Sequence, residues 1–283
     1  MWNSIATIKE RSVPSPSRQL ADVTRTEVCI EDLGMEFDGY TIVALADFHH
    51  RPSMGDLRWL RHAVDMANGT MPDVVALLGD YGSSFKRAPS LSQRWYRDTM
   101  TAMTPELCRL RARDGIIGLL GNHDYYTGAG SVCAWLTSIG AEVLVNRPLH
   151  VRRSSSLLRI AGQDDAKEGD AHPSAGCELT ERTPTVALSH NPDGLLGLDP
   201  RLRVDVMLAG HTHGGQIVIP GYGAPITMSR MCGRHSASGW IPNPRAPLYV
   251  SRGLGEQLPL PIRINCKPEI VVLRLRSAGQ QPA

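Results

Sequence analysis

The stretch Leu208-Ala-Gly-His211-Thr-His213-Gly-Gly-Gln216 decides how the rest of the sequence is interpreted. It completes an apolar run at residues 204–209 that predicts a buried strand. A glycine at position 210 ends this strand, and two histidines follow on a tight, glycine-rich turn. Because loops at the carboxyl ends of neighbouring strands bring side chains together, His211 and His213 are candidate metal ligands. Exposed loop histidines are the alternative that this motif alone leaves open.

Other apolar runs in the sequence end in the same way. Residues 39–46, 72–78, 115–120 and 185–189 each predict a buried strand. The polar side chains that follow these runs are Asp47 and His49, Asp80, Asn122 and His123, and His190. In an open α/β sheet, groups beyond the carboxyl ends of adjacent strands meet in one crevice. Carboxylates and imidazoles crowded together there need a compensating cation, usually a divalent metal ion.

The number of candidate ligands indicates two metal ions. Two carboxylates, one carboxamide and four imidazoles exceed what a single tetrahedral zinc site uses. They suit two ions that share a carboxylate and complete their coordination with water. Two ions about 3.5–4 Å apart suit hydrolysis of phosphate esters, because they hold the attacking hydroxide and the phosphoryl oxygens together.

Composition argues against several other classes of protein. The net charge of +2, without basic runs that contain aromatic residues, disfavours nucleic acid as the main partner. The six cysteines form no Cys-x-x-Cys pair, which predicts a reducing, cytoplasmic setting instead of a zinc cage or a disulfide framework. No apolar run reaches the roughly 18 residues of a transmembrane segment, and the N-terminus lacks the apolar core of a signal peptide.

The order of predicted elements indicates an α/β fold. Helical stripes over residues 55–68, 91–113 and 129–139 alternate with strands in the first half, and Pro105 is expected to interrupt the second helix. Strands in the second half are mostly hairpin-like. These patterns allow either one mixed sheet or two sheets face to face with helices outside.

The predicted boundaries are a flexible N-terminal arm at 1–23, a single domain at 24–276 and a tail at 277–283. Within the domain, residues 216–219 are predicted to continue as a strand. Residues 220–247 form a long irregular segment of a length often used for binding.

Five motifs together resemble those of the calcineurin-like metallophosphoesterase family. They stand in the family's order between residues 47 and 213: Asp47-x-His49, Gly79-Asp80, Gly121-Asn-His-Asp124, His190 at a strand end, and Gly210-His-x-His213. The resemblance implies a four-layer sandwich of two mixed β-sheets flanked by helices. It also implies a metal-dependent phosphoric ester hydrolase.

The resemblance gives each of these side chains a role. Asp47, His49 and His213 would hold the first metal ion, Asp80 would bridge, and Asn122, His190 and His211 would complete the second site. His123 would contact the phosphoryl or leaving oxygen of the substrate as hydrogen-bond donor or general acid, beside Asn122. Asp124 would orient His123 or its loop. A water molecule whose pKa is lowered towards about 7 would be the in-line nucleophile.

The sequence allows several metals and one further substrate contact. Oxygen and nitrogen ligands without thiolate suit manganese, iron, zinc, cobalt or nickel. Arg252, which follows a predicted strand, is a candidate for substrate binding, with a solvated loop position as the alternative. Many relatives carry an acidic residue shortly after the Gly-Asp motif that helps to position the histidine. Here Asp80 is followed by Tyr-Gly-Ser-Ser84, so the tuning of His123 differs.

A narrower resemblance concerns the substrate. Residues 210–217, 220–223, 248–255 and 259–269 are similar to a bacterial subgroup of phosphodiesterases, some of which cleave UDP-2,3-diacylglucosamine in lipid A synthesis. The resemblance implies a phosphate-ester substrate, with a nucleotide-sugar or lipid-linked ester as the finer alternative, and a location peripheral to the membrane. Many members carry a membrane anchor or export signal that is not expected here.

Two further hypotheses follow from the same residues. A non-catalytic interaction module on this fold would usually have lost ligands, whereas this sequence keeps the complete set. A lipid hydrolase acting at a membrane surface would need an apolar or basic patch around residues 220–262. The oligomeric state is not fixed by the sequence.

Overall fold

The computed structural model describes residues 20–51, 57–84, 86, 89–172 and 174–278. Nearly all of the predicted N-terminal arm, and residues 279–283 of the predicted tail, lie outside the described residues. The first strand begins at Asp22 and the last ends at Ser277. The regular structure therefore extends slightly beyond both predicted domain boundaries.

Twelve strands and five helices occur in the described part of the chain. The strands are β1 (Asp22–Ile30), β2 (Thr41–Leu45), β3 (Val74–Leu77), β4 (Ile116–Gly118), β5 (Ala141–Val143), β6 (Arg147–Arg153), β7 (Ser156–Gly162), β8 (Thr185–Leu188), β9 (Val206–Ala209), β10 (Gly239–Ile241), β11 (Leu248–Val250) and β12 (Glu269–Ser277). The helices are α1 (Arg58–Gly69), α2 (Pro89–Leu107), α3 (Asn122–Tyr125), α4 (Ala129–Ser138) and α5 (Gly194–Gly197). None of these helices combines the length and apolar character that crossing a bilayer requires.

The strands form two six-stranded mixed sheets. The order in the first sheet is β1-β12-β2-β3-β4-β5, in which β2 to β5 are parallel and β12 is antiparallel to β2. The order in the second is β10-β11-β9-β8-β7-β6, in which β11, β9, β8 and β7 are parallel. The predicted pair of mixed sheets is confirmed.

Central strands bury side chains on both faces. In β2, Ile42 belongs to the core between the sheets, whereas Val43 belongs to the core beneath the helices of the first sheet. In β9, Leu208 lies in the shared core and Met207 in the outer core of the second sheet. Because successive side chains of a strand point to opposite faces, a strand covered on both sides is a continuous apolar run.

The outer faces of the two sheets are covered differently. Helices α1, α2 and α4 cover the first sheet. Of the predicted apolar stripe of α1, Leu60, Ala63, Val64 and Ala67 are buried and Leu57 is partly buried, and the helix also buries Trp59. The second sheet is covered by the four-residue helix α5 and by loop residues such as Leu202, Cys232 and Ala246. The fourth layer is therefore mostly irregular backbone.

Three local predictions are wrong. Residues 216–219 do not form a strand, because a 3-10 turn at His213–Gly215 and a left-handed Gln216 (φ 58°) turn the chain away from the sheet. The segment predicted to be irregular at 220–247 contains β10, which pairs with β11. Helix α2 is not interrupted at Pro105 and ends at Leu107, so the proline lies in its last turn.

Candidate active site

The polar side chains predicted from the strand ends converge at one edge of the sandwich. They follow β2, β3 and β4 of the first sheet and β8 and β9 of the second. Because these strands run parallel to their neighbours, their carboxyl ends share an edge. The residues brought together are Asp47, His49, Asp80, Asn122, His123, His190, His211 and His213, and all except His123 are buried.

Asp47, His49 and His213 form one group that could hold a metal ion. His213 Nε2 lies 3.6 Å from Asp47 Oδ1 and 3.1 Å from His49 Nε2. Two neutral imidazole nitrogens this close cannot both carry a proton, so at least one lone pair points into the space between them. This is the set that the sequence assigns to the first metal.

Asp80, His190 and His211 form a second such group. Asp80 Oδ2 lies 3.2 Å from His190 Nε2 and 3.4 Å from His49 Nε2, so one oxygen faces both groups. His211 Nδ1 lies 3.3 Å from His190 Nε2. The Leu78 carbonyl oxygen, 2.8 Å from His190 Nδ1, favours a proton on Nδ1 and leaves Nε2 available as a ligand.

Asn122 lies between Gly121 and His123, whose backbones both approach the Asp80 carboxylate. The Asn122 side chain is buried, and within the described part of the chain Oδ1 accepts no hydrogen bond. Leaving a buried acceptor unsatisfied costs about 1–3 kcal/mol, so this oxygen is suited to an external partner. Together with the buried carboxylates and imidazoles, it forms a donor set that fits divalent metal ions.

The backbone of the site adopts a conformation that is rare for residues with side chains. Asp47, His49, Asp80, His211 and His213 all have positive φ values, between 41° and 71°. Left-handed backbone at residues other than glycine costs about 1–3 kcal/mol each and clusters at functional sites. Five of the seven predicted metal ligands share it.

Two glycines allow the carboxylates to occupy their positions. A Cβ atom at position 121 would lie 2.3 Å from Asp80 Oδ1, and one at position 210 would lie 2.6 Å from Asp47 Oδ2. Both distances are shorter than real Cβ contacts. Glycine is therefore required at position 121, where the loop after β4 approaches the Asp80 carboxylate, and at position 210, where the loop after β9 approaches the Asp47 carboxylate.

Burial dominates the electrostatics of the site. It lowers the pKa of His49 to about 4 and that of His211 to about 3, and it raises the pKa of Asp47 to about 7. Burial also opposes charge on Asp80 and His190. Their mutual attraction outweighs it, so the pKa of Asp80 lies well below its usual value and that of His190 well above. The low pKa values of His49 and His211 keep these two imidazoles neutral, which is the protonation state that metal binding requires.

His123 is held by groups that the sequence did not predict. The Ser84 carbonyl oxygen lies 3.0 Å from His123 Nδ1, and Ser84 Oγ donates to the His123 carbonyl oxygen at 2.7 Å. On the other side of the ring, Gln257 Nε2 lies 3.3 Å from His123 Nε2. The His123 main-chain N–H donates to Asp80 Oδ1 at 2.8 Å. The His123 imidazole is therefore held at both ring nitrogens, and the main chain of His123 contacts the Asp80 carboxylate.

Asp124 lies behind the site and contacts backbone. Its carboxylate accepts hydrogen bonds from the main-chain N–H groups of Gly121 at 2.7 Å, Asp80 at 2.9 Å and Tyr81 at 3.2 Å. It also accepts one from the Tyr96 hydroxyl. These contacts join the loops after β3 and β4. Of the two roles predicted for Asp124, they support orientation of the loop.

A turn after β7 carries a lysine towards the site. Asp165 Oδ2 accepts from the main-chain N–H groups of Lys167 at 3.0 Å and Glu168 at 2.7 Å. Glu168 accepts from the Tyr126 hydroxyl at 3.0 Å, and the Tyr126 ring packs 5.4 Å from the ring of His123. Burial lowers the pKa of His123 and of His211, and the charge of Lys167 lowers both further.

Arg252 is engaged away from the metal-ligand groups. Its Nε donates to the Lys267 carbonyl oxygen at 2.8 Å, and its guanidinium lies 3.5 Å from the buried Glu269 carboxylate. These contacts favour a structural role. Substrate binding by Arg252 stays a prediction.

Sequence reasoning missed Ser84, Lys167 and Gln257. The rule that found the ligands could have indicated two of them, because β7 and β11 run parallel to β8 and β9 and end at the same edge. Lys167 follows β7 and Gln257 follows β11. No sequence signal marks Ser84, because it contributes its main-chain carbonyl.

Comparison with known proteins supports the same class. A family model for calcineurin-like phosphoesterases matches residues 40–215. The uncharacterized metallophosphoesterase YkuE of Bacillus subtilis is 31% identical over 246 residues, which cover 86% of this chain and 81% of YkuE. The phosphodiesterase YaeI of Escherichia coli is 29% identical over 83% of this chain and 82% of YaeI. A crystal structure of a dimetal phosphatase from Danio rerio aligns with 77% of this chain and 88% of its own, with a TM-score of 0.46 and 14% identity.

The family match covers more than half of the chain and includes every predicted metal ligand. The chain therefore belongs to the calcineurin-like phosphoesterase family, and it is a hydrolase of the metallophosphoesterase class.

Proposed function

We propose that this hydrolase uses two divalent metal ions to cleave phosphomonoester, phosphodiester or pyrophosphate bonds by in-line attack of water. The observation that carries the proposal is the position of Asp80 Oδ2, 3.4 Å from His49 Nε2 and 3.2 Å from His190 Nε2. A carboxylate oxygen shared by two donor groups suits two ions that act on one phosphoryl group. Manganese, iron, zinc, cobalt and nickel all suit these oxygen and nitrogen donors.

We assign the residues to the two ions in the way that the sequence predicts. Asp47, His49 and His213 would hold one ion, and Asn122, His190 and His211 the other, with Asp80 shared. When bound, the two ions supply positive charge that orients the phosphoryl oxygens and lowers the pKa of a water molecule. The left-handed backbone and the glycines position the donors before any ion arrives.

His123 would protonate the oxygen that leaves. Its ring centre lies 4.8 Å from that of His49, at the edge of the donor groups. With Nδ1–H donated to the Ser84 carbonyl oxygen, the neutral ring accepts from the Gln257 amide at Nε2. Once protonated at Nε2, the ring releases Gln257 and can donate this proton to the leaving oxygen.

The substrate can be proposed at two levels, as a general class of phosphate ester and as a more specific compound within it. Similarity to a protein named as a phosphodiesterase supports a diester substrate. The finer alternative is a nucleotide-sugar pyrophosphate that carries acyl chains, such as UDP-2,3-diacylglucosamine. Exposed Ile226 and Leu260, on segments that contact the site, support an apolar substituent.

The six cysteines are free thiols, which supports a reducing, cytoplasmic setting.

A substrate panel with defined metals tests the proposal. Stripped protein would be reloaded with each of the five metals and assayed on a phosphomonoester, a phosphodiester, a cyclic nucleotide and a nucleotide-sugar pyrophosphate. The proposal expects hydrolysis that requires added metal and disappears in Asp80→Ala. Two bound ions without turnover of any substrate would favour the non-catalytic interaction module.

A further inference from the structure

Exposed apolar side chains are concentrated next to the site. Seven of the thirteen large hydrophobic residues that are exposed in the described part of the chain lie within 219–228 and 260–264. We call these seven the apolar rim: Ile219, Tyr222, Ile226, Met228, Leu260, Ile262 and Ile264. Single exposed hydrophobic residues are normal, but a contiguous group beside a functional site marks an interaction surface.

The two segments of the apolar rim form one surface. The Val218 N–H donates to the Ile264 carbonyl oxygen at 2.9 Å, and the Ile264 N–H donates to the Gln216 carbonyl oxygen at 3.1 Å. The Asn265 side-chain amide donates to the Val218 carbonyl oxygen at 3.0 Å. These hydrogen bonds join the two segments where Ile219 and Ile264 lie, so the exposed apolar residues of both segments belong to one surface region.

The apolar rim is joined directly to the catalytic groups. The Met228 carbonyl oxygen lies 3.2 Å from His211 Nε2. Gln216 Oε1 accepts from the Gln257 N–H at 2.7 Å, and the Gln257 side chain contacts His123. Met228 of the apolar rim therefore contacts His211 directly, and Leu260 is linked to His123 through Gln216 and Gln257.

Positive charge accompanies the apolar rim. Residues 206–268 contain six arginine and lysine residues and one acidic residue, and three of the basic residues, Arg230, Arg252 and Lys267, face acidic side chains from outside this range. On the apolar rim itself, the exposed Arg234 packs its guanidinium 4.9 Å from the centre of the Tyr222 ring. Apolar side chains with an arginine and a tyrosine, and without an exposed carboxylate, complement anionic headgroups above an acyl layer.

We infer that the apolar rim docks the protein on the surface of an anionic lipid membrane. Ile226 and Leu260 are at least half exposed and would enter the headgroup boundary, while Arg234 would meet lipid phosphates. The site would then face the membrane surface and receive phosphoesters whose acyl chains stay in the lipid. This last step rests on the proposed function, whereas docking itself does not.

Vesicle sedimentation of the metal-loaded full chain tests the docking surface. We expect co-sedimentation with vesicles of phosphatidylcholine and phosphatidylglycerol, and weaker binding to phosphatidylcholine alone. The double variant Ile226→Glu/Leu260→Glu should reduce the partition coefficient by about tenfold or more, because two apolar contacts are replaced by charges that anionic lipid repels. Ile226→Leu/Leu260→Ile should keep the parent's binding.

Met71→Glu is the matched control. Met71 is 86% exposed, but it precedes β3 and so lies at the opposite end of the sheet from the site. Its variant should bind vesicles like the parent. Thermal unfolding and metal content of each variant verify that it is folded.

The outcomes separate docking from catalysis. No binding to anionic vesicles, equal binding by the double variant, or equal loss in Met71→Glu would overturn the inference. So would a dimer that the double variant dissociates while the parent binds no vesicles. Suppose that the parent and Met71→Glu bind vesicles, that the double glutamate variant does not, and that the protein hydrolyses no phosphoester. This result would support docking and refute the proposed function. Hydrolysis of water-soluble esters without vesicle binding would support the proposed function and refute docking.

Discussion

The main-chain carbonyl oxygen of Ser84 lies 3.0 Å from Nδ1 of His123, and the four residues that follow Asp80, Tyr-Gly-Ser-Ser84, include no acidic residue. A neutral carbonyl orients the imidazole and fixes its Nδ1 proton, as a carboxylate would. It stabilises the imidazolium less, because it carries no full charge. The positioning of His123 is thus encoded in the backbone after Asp80.

Replacing His123 tests its role as proton donor. We expect His123→Ala to lower kcat by roughly 10²- to 10⁴-fold and to leave two metal ions bound. The loss should be smaller for a p-nitrophenyl ester than for an alkyl ester, because p-nitrophenolate needs less help to leave. Ser84→Ala removes the Oγ contacts to His123 but keeps the main-chain carbonyl contact to Nδ1, so its loss of activity should be much smaller than that of His123→Ala. Parent-like turnover of the alkyl ester by His123→Ala would refute the assignment.

Asp124 is expected to act on stability and metal affinity through the two loops it joins. In Asp124→Asn, an amide NH₂ would face main-chain donors, at a cost of about 3 kcal/mol or more. Tyr96→Phe removes one hydrogen bond and leaves the main-chain contacts, so it should cost about 1–2 kcal/mol. Urea unfolding of metal-free protein measures both free energies. Equal values for the two variants would show that Asp124 does not hold the loops.

Lys167 is expected to attract the phosphate ester. Its charge lowers the pKa of both His123 and His211, so it reaches the donor groups at which a phosphate ester would bind. Lys167→Ala should raise KM by about two- to fivefold with little change in kcat, the size expected of an exposed charge. Lys167→Arg should restore KM, and salt should weaken the effect. Lys267→Ala, an exposed lysine beside Asp22, should match the parent. If both alanine variants share one KM, Lys167 does not contact the substrate.

The metal ligands could be predicted from sequence because each follows its strand directly. Asp47 comes two positions after β2, and His190 two positions after β8. The parallel order of the strands then brings these side chains together without further information. The surroundings of His123 lack such a local signal. Ser84 and Gln257 are 39 and 134 positions away in the chain and meet the ring only after folding.

The wrong strand at 216–219 has a physical explanation. Ile217, Val218 and Ile219 form a short run of β-branched residues, which is typical of a strand. The positive φ values of His213, Gly214, Gly215 and Gln216 direct the chain out of the sheet instead. The apolar residues that follow then become part of the exposed surface beside the site. A short apolar run alone does not distinguish a strand in the sheet from residues that lie on the exposed surface.

Removing Asp80 should empty both metal positions. We expect Asp80→Ala to bind fewer than one ion per chain by elemental analysis, because both donor groups lose their shared oxygen. A chelator should lower the melting temperature of the parent, since bound metal stabilises only the folded state. The same chelator should leave Asp80→Ala unchanged. Asp199→Ala, at a surface carboxylate paired with Arg201, should behave like the parent. Two ions retained in Asp80→Ala would rule out a bridging role.

Anomalous diffraction from crystals of the manganese-loaded protein is the most direct test of the two-metal site. Two peaks about 3.5–4 Å apart are expected. One should lie among Asp47, His49 and His213 and the other among Asn122, His190 and His211, with Asp80 between them. A single peak at full loading, or two peaks that do not share Asp80, would contradict the two-metal site.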